Sequence, residues 1–470
     1  MDGGGVIRRV FPLTASALVV AAVLVHAPGH LSMDSSLQVY EAQTGRSVSW
    51  APPFMSALLR WFGGGPEATT VFVALCATFT YGGFVLALRA AQRIANGPMP
   101  WSWLRTAAAG VLLLNPIVFL HVGIIWKDVL FASQLALALG LMCSAASHAG
   151  ATRAIRFAFA LLVLLPSPLV RQHGVLLAPI LALPCMYGIA TAGVHASAMR
   201  RAAVLVVTAA VSLGMYIGID AAVKHTIEAT DGKSTSVGVV GIARYDMTGM
   251  IAAGMPLDAL PAPMREPAFV KAARRTYTPD RIDFVLADPV VVAGYMRIDE
   301  TTTIKAWLQA IRSEPVRYAG VKGEQYAWLL GFHRLDRCLP IHLGIEGMRG
   351  YLVASGFSMR KDKRDEALFG LSMFTRHLAL YRHWFYVVVL LACAGVAFGW
   401  RRRMAGMERA VLASTVAAAV VLYASFFPTV LACDFRYLYP GIVMVSLLAL
   451  YLLARPAGML SSFPKRITTP

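Results

Sequence analysis

Residues 200–221 read RRAAVLVVTAAVSLGMYIGIDA: a basic pair, then an apolar run with no charge until Asp220. About 20 predominantly apolar residues cross a hydrocarbon core of about 30 Å. The stretch therefore predicts a membrane-spanning helix anchored at one face by Arg200 and Arg201. Similar runs occur near 8–28, 68–88, 104–122, 128–148, 156–170, 174–193, 384–400, 409–428 and 437–455. Pro166 and Pro168 interrupt the run at 156–170, which needs neighbouring groups to satisfy the backbone carbonyls they leave unpaired.

Basic residues give the runs a direction. Arg8 and Arg9 precede the first run. Arg89 and Arg93, Arg153 and Arg156, Arg200 and Arg201, Arg401 to Arg403, and Lys465 with Arg466 follow alternate later ones. With ten spans every set falls on one side, and the positive-inside rule makes that side cytoplasmic, along with both termini. The 29–67 loop, the 121–128, 171–173 and 429–436 turns and a long insert near 223–382 then face outward. Arg8 and Arg9 before an apolar run also look like a signal peptide, but the run is long enough to span, and an uncleaved first helix of an inner (plasma) membrane protein is expected.

Composition agrees. Hydrophobic residues make up 57% of the chain and charged residues 14%, where soluble domains carry about 25% charged; mean hydropathy is +0.61. The net charge of +18 is thus an insertion signal rather than a nucleic-acid footprint. No CxxC pair, HExxH or glycine-rich phosphate loop is present, so a zinc site, a redox pair and an ATP site lack support. Cys76, Cys143, Cys185 and Cys393 lie inside apolar runs. Cys338 and Cys433 are the two on the outer side, where an oxidising compartment permits the disulfide expected between them.

The expected fold class is an all-α polytopic membrane protein of about ten spans with a mixed, loop-rich and helical insert. Residues 1–222 form an N-terminal membrane region, 223–383 an outer domain, and 384–470 a C-terminal membrane region with a short tail. In the 29–67 loop, Phe54, Leu58, Leu59, Trp61 and Phe62 predict an amphipathic interface helix with Arg60 opposite, joined to a preceding helix by a Pro-Pro turn. Within the insert, 223–290 is rich in Gly, Thr, Ser and Pro and reads as loops. Ile304, Trp307, Leu308 and Ile311 keep a helical period up to Ser313-Glu314-Pro315, where a second helix starts. Residues 333–382 read as loop-rich, with a charged run at Arg360–Glu366.

Four outer connections carry charge at one membrane depth. Asp34, just past the first run, suits a general base, or an N-cap for the helix that follows. Trp126-Lys127-Asp128 suits a Lys on phosphate oriented by its Asp, or an interfacial anchor. Arg171-Gln172-His173 sits at the hydrocarbon edge, where such groups are costly unless they face a polar cavity; Arg171 suits phosphate and His173 a proton donor, or a hydrogen-bonded turn. Asp434-Phe435-Arg436-Tyr437 offers another cation, or a local Asp–Arg pair within an aromatic belt. Together the cations suit the phosphate of a lipid-linked substrate.

An Asp soon after the first run, a Gly45…Trp50-Ala51-Pro52-Pro53 stretch, and Arg436-Tyr437-Leu438-Tyr439-Pro440 opening a late run resemble the GT-C superfamily of integral-membrane glycosyltransferases. Protein mannosyltransferases and lipid A aminoarabinose transferases belong to it. The resemblance implies transfer of a sugar from a polyprenyl-phosphate donor to an envelope glycan, lipid or protein acceptor on the outer face. Asp34 would be the base; Lys127, Arg171 and Arg436 would hold the leaving phosphate, with Asp128 and His173 beside them. No cofactor, metal or nucleic acid is implied. The chain departs from the pattern in two places. Asp34 is followed by Ser35-Ser36 rather than a second acid, the nearest being Glu41, so a divalent cation has no support. The outer domain interrupts the membrane region instead of following it.

Rival readings differ in what they require. An O-antigen-type polymerase or ligase would depend on Arg and His rather than Asp34. A transporter would show paired half-chains and broken midplane helices, and no internal repeat is visible. A non-enzymatic envelope binding protein would need none of the four charged turns.

Overall fold

A computed structural model describes residues 3–49, 52–94, 103–193, 197–229 and 237–455. Trp50 and Ala51 of the loop-one motif, and Lys465 and Arg466, lie outside them. Among the described residues the chain is helical, with isolated β-bridges but no strand.

The first membrane region begins with α1 (Gly3–His26) and the loop-one helices α2 (Met33–Thr44) and α3 (Phe54–Trp61). It continues through α4 (Gly65–Ile94), α5 (Trp103–Leu113), α6 (Pro116–Val122), α7 (Lys127–Ala146), α8 (Gly150–Leu164), α9 (Ser167–Val170), α10 (Gly174–Ala190) and α11 (Ala198–Thr226). The insert holds α12 (Val237–Ala252), α13 (Ala262–Arg265), α14 (Pro267–Thr276), α15 (Asp283–Leu286), α16 (Pro289–Met296), α17 (Glu300–Ser313), α18 (Pro315–Leu330), α19 (Arg349–Ala354) and α20 (Lys363–Thr375). The chain then returns through α21 (His383–Trp400), α22 (Gly406–Thr429) and α23 (Tyr439–Ala454).

Eight of the described helical segments are long and apolar enough to cross a membrane, and Val10–His26 and Gly174–Ala190 are shorter apolar helices. The chain is a multi-pass membrane protein. α7 and α23 are buried almost throughout and form its centre, whereas α11 buries only Val223 and turns its apolar surface outward, as lipid contact allows. Lipid tails are as apolar as the helices, so close packing rather than hydrophobicity holds such a bundle. Gly83 of α4 and Gly140 of α7 face each other, and a Cβ on either would collide with the other helix's backbone. Pro166 ends α8 and caps α9, so the interrupted run bends just before Arg171.

The insert corrects one expectation. Residues 237–290, read as loops, fold instead into short helices that pack with the rest of α16 around a second core of Tyr245, Met250, Phe269, Val291 and Tyr295. The Pro and Asp residues that suggest turns are helix starts here: Pro267 and Pro289 open α14 and α16, and the Asp288 side chain accepts from Val290 N and Val291 N. Pro is favoured at this first helical position. The 298–332 pair is present as α17 and α18, divided at Glu314–Pro315. Within 333–382, read as loop-rich, α19 and α20 interrupt the loops. At the centre of the insert Lys322 Nζ meets Asp246 Oδ1 at 2.7 Å, both groups fully buried. Lys322 also donates to Gln325 Oε1 and to the Val430 carbonyl, tying the insert to the turn after α22.

Candidate active site

Three segments distant in sequence lie side by side at the insert end of the bundle. His30 N donates to Gly123 O and Ile125 N to His30 O, while Leu31 N donates to Gly344 O and Glu346 N to Leu31 O. Side chains finish the joint: Trp126 Nε1 donates to Ser32 Oγ, Ser35 Oγ to Ile125 O, and His342 Nε2 to Leu31 O. His30 Nδ1 lies 3.3 Å from Asp365 Oδ1. The joint fixes the start of α2, whose N-cap is Ser32. Asp34 is therefore in the first helical turn rather than at the cap, and its carboxylate points away from the helix backbone to Arg436.

The turn carrying Arg436 is held by the insert. Cys433 N donates to Asp280 O, Ile282 N to Leu431 O and Phe435 N to Cys338 O, and a disulfide joins Cys338 to Cys433. Arg281 Nη2 donates to Asp434 Oδ1 at 2.8 Å. Arg436 Nη2 then meets Asp34 Oδ2 at 2.6 Å and Asp434 Oδ2 at 3.3 Å, with its guanidinium 5.0 Å from the centre of the Trp126 ring. The local Asp434–Arg436 pair and the bridge to Asp34 thus coexist.

Asp34, Trp126, Lys127 and Arg436, with Leu37, Gln38 and Ser49, line one small cleft. It brings together one carboxylate and two cations. Asp34 keeps 44% of its side-chain surface exposed, so the carboxylate faces solvent even while paired. Beside α3 lies a larger, shallower apolar groove, lined by Phe54, Trp61, Leu162, Pro166, Met215 and Ile219 among others.

The remaining candidates are arranged differently from the sequence expectation. Asp128 does not serve Lys127: it forms a buried ion pair with Arg171. Arg171 is 5% exposed, is not among the cleft-lining residues, and lies near the Phe426 and Tyr437 rings. A buried cation needs a counter-charge, and the helix start at Lys127 supplies Asp128 in its first turn. His173 stacks flat on Phe426, ring centres 4.2 Å apart, and likewise lies off the cleft.

Two residues are more important than the sequence indicates. Trp126, read as an interfacial anchor, lines the cleft and lies against Arg436. Glu41, noted only as the nearest second acid, is 1% exposed. Its Oε1 accepts from Val48 N at 2.7 Å and Ser49 N at 2.6 Å, and its Oε2 accepts from Ser56 Oγ at 2.6 Å. It is the pin that holds the loop leading to Ser49 over the cleft. Both of its oxygens are engaged by this loop and the start of α3. Among the described residues no group of three or more His, Cys, Asp or Glu is gathered in a metal-binding arrangement. Nothing in the sequence marks Glu41, because its partners become neighbours only when the loop closes.

No family model matches the chain, and no curated protein matches it. Two solved structures are similar. One is an oligosaccharyltransferase of Archaeoglobus fulgidus in complex with zinc and sulfate: 14% identity, TM-score 0.36, covering 92% of this chain and 48% of that one. The other is the archaeal oligosaccharyltransferase AglB from Archaeoglobus fulgidus with an inhibitory peptide and a dolichol-phosphate: 13% identity, TM-score 0.35, covering 93% and 50%. The chain spans about half the length of these structures.

Proposed function

We propose that the chain is a GT-C-type membrane glycosyltransferase that moves a sugar from a polyprenyl-phosphate donor to an envelope acceptor on the insert side of the membrane. The observation that carries this reading is the cleft in which Asp34 and Arg436 meet at 2.6 Å beside Lys127. A carboxylate with exposed surface and two cations, at the mouth of an apolar bundle, is what displacement of a lipid phosphate requires. The apolar groove beside α3 suits the isoprenoid tail.

In the resting chain Asp34 neutralises Arg436. An arriving phosphate competes for the same guanidinium and, with Lys127, takes it over, because Arg binds phosphate as well as carboxylate. Asp34 is then released toward the acceptor. It removes the proton of the acceptor hydroxyl, whose oxygen attacks the anomeric carbon. The bond from that carbon to the phosphate oxygen breaks, its electron pair stays on the phosphate, and Lys127 and Arg436 stabilise the charge that develops. The configuration inverts.

The decisive assay is release of polyprenyl phosphate from polyprenyl-phosphate hexoses by the reconstituted chain, with Asp34→Asn beside it. Loss of turnover in the variant with polyprenyl phosphate still bound supports the mechanism; normal turnover sinks it. The polymerase or ligase reading relies on Arg and His, and the burial of Arg171 against Asp128 and the stacking of His173 on Phe426, both off the cleft, count against it. The orientation is tested by labelling in intact cells: a cysteine at Val316 should react with an impermeant reagent and one at Arg402 should not.

A further inference from the structure

We infer that α20 is a membrane-interface element, seated in the lipid boundary of the leaflet on the insert side. The charged run at Arg360–Glu366 has no role in the cleft, yet it opens a well-formed helix: the Asp362 side chain accepts from Arg364 N and Asp365 N, and Asp362 N donates back to Asp365 Oδ2. One side of that helix is fixed to the protein through buried Asp365, Leu368, Ser372 and Thr375. The remainder of its second half is apolar and uncovered. Phe369, Leu371, Met373 and Phe374 are all exposed, Phe374 by 75%, and Leu378 follows them. A water-facing domain does not leave so dense a patch of large apolar side chains bare.

Position identifies the cover. α20 packs on α1 and α6, and Arg364 Nη1 donates to the carbonyl of Leu24 near the insert-side end of α1. Leu24 and Val20 of α1 are exposed apolar residues, so the lipid-facing surface of α1 runs up to the foot of α20. The chain leaving α20 enters the apolar helix α21 at His383 within a few residues. Exposed Lys361, Lys363 and Arg376 flank the patch, the arrangement of an interfacial helix with apolar residues in the acyl boundary and basic ones at the headgroups. The occupant is therefore the bilayer the chain itself crosses, not a partner protein. The inference stands apart from the transferase reading. Through the His30–Asp365 contact, lipid seating of α20 would also brace the segment that leads to Asp34.

The test uses the full chain in vesicles of phosphatidylcholine and phosphatidylglycerol, with a nitroxide on Phe374→Cys, a second on Leu371→Cys and a reference on Val316→Cys. Val316 is 85% exposed at the far end of α18, about 20 Å along the helix from Leu330. Cys76, Cys143, Cys185 and Cys393 are buried, and the unsubstituted chain sets the labelling background. Collisions with oxygen should exceed those with a water-soluble nickel chelate at 374 and 371, and the order should reverse at 316. A nickel-dominated signal at both 374 and 371 would put the patch in water and overturn the inference. Protection from both agents would mean that protein covers it, which overturns the inference equally. The reference label, read in the same way, shows that each preparation is folded and inserted.

Discussion

Asp34 Oδ2 and Arg436 Nη2, from near opposite ends of the chain, lie 2.6 Å apart. In the proposed mechanism the carboxylate and the phosphate of a donor compete for that one guanidinium. Asp34→Asn should therefore leave polyprenyl phosphate binding undiminished or tighter while turnover falls by about a hundredfold or more. Arg436→Ala should weaken binding by about 1.5–3 kcal/mol, and Arg436→Lys should restore little of it, since an ammonium lacks the fork. Equilibrium binding of polyprenyl phosphate to the reconstituted chain checks both, and weaker binding in Asp34→Asn would refute the competition.

Arg171 should behave unlike Arg436. It is buried against Asp128 and lies off the cleft, so Arg171→Leu leaves an uncompensated buried carboxylate and should cost about 3–5 kcal/mol of stability. The Arg171→Leu/Asp128→Leu double variant should recover most of that. Thermal unfolding in detergent separates the cases. A donor-binding loss in a stable double variant would return Arg171 to the phosphate site.

The insert should carry a pH signature. Burial pushes the Asp246 carboxyl up to about 6 from 3.8, against the pull of Lys322. The folded state then binds more protons than the unfolded state between those values. The contribution is present below about 3.8 and is lost as pH rises through about 6. Relative to Asp246→Asn, the native chain should lose thermal stability across that window, measured as the difference in unfolding midpoint. A difference that does not change with pH would contradict the assignment.

Removing the Cys338–Cys433 link, which closes 95 residues of sequence, should cost about 2–4 kcal/mol and loosen the turn bearing Arg436. Non-reduced peptide mapping checks the pairing, and unfolding of the Cys338→Ala/Cys433→Ala variant checks the magnitude. Two unlinked thiols in the native chain would refute it.

The sequence by itself determined the membrane character, the stop at Glu314–Pro315, and the helix pair flanking Pro52-Pro53. These are local signals: apolar length, helical period and proline chemistry act over one or two turns of chain. It misread 237–290 because helices of 4 to 16 residues carry too little period to outweigh Gly, Thr and Pro. Those helices are held by packing around Tyr245, Phe269 and Tyr295 rather than by their own propensity. Tertiary structure alone decided the partners. Asp128 went to Arg171 and not to its neighbour Lys127, because the bend at Pro166 delivers a buried guanidinium that needs a counter-charge. Glu41 was taken by the loop it pins, leaving Asp34 for Arg436. Charge pairing depends on where closed loops bring side chains in three dimensions, and residue type fixes only what each can do once it arrives.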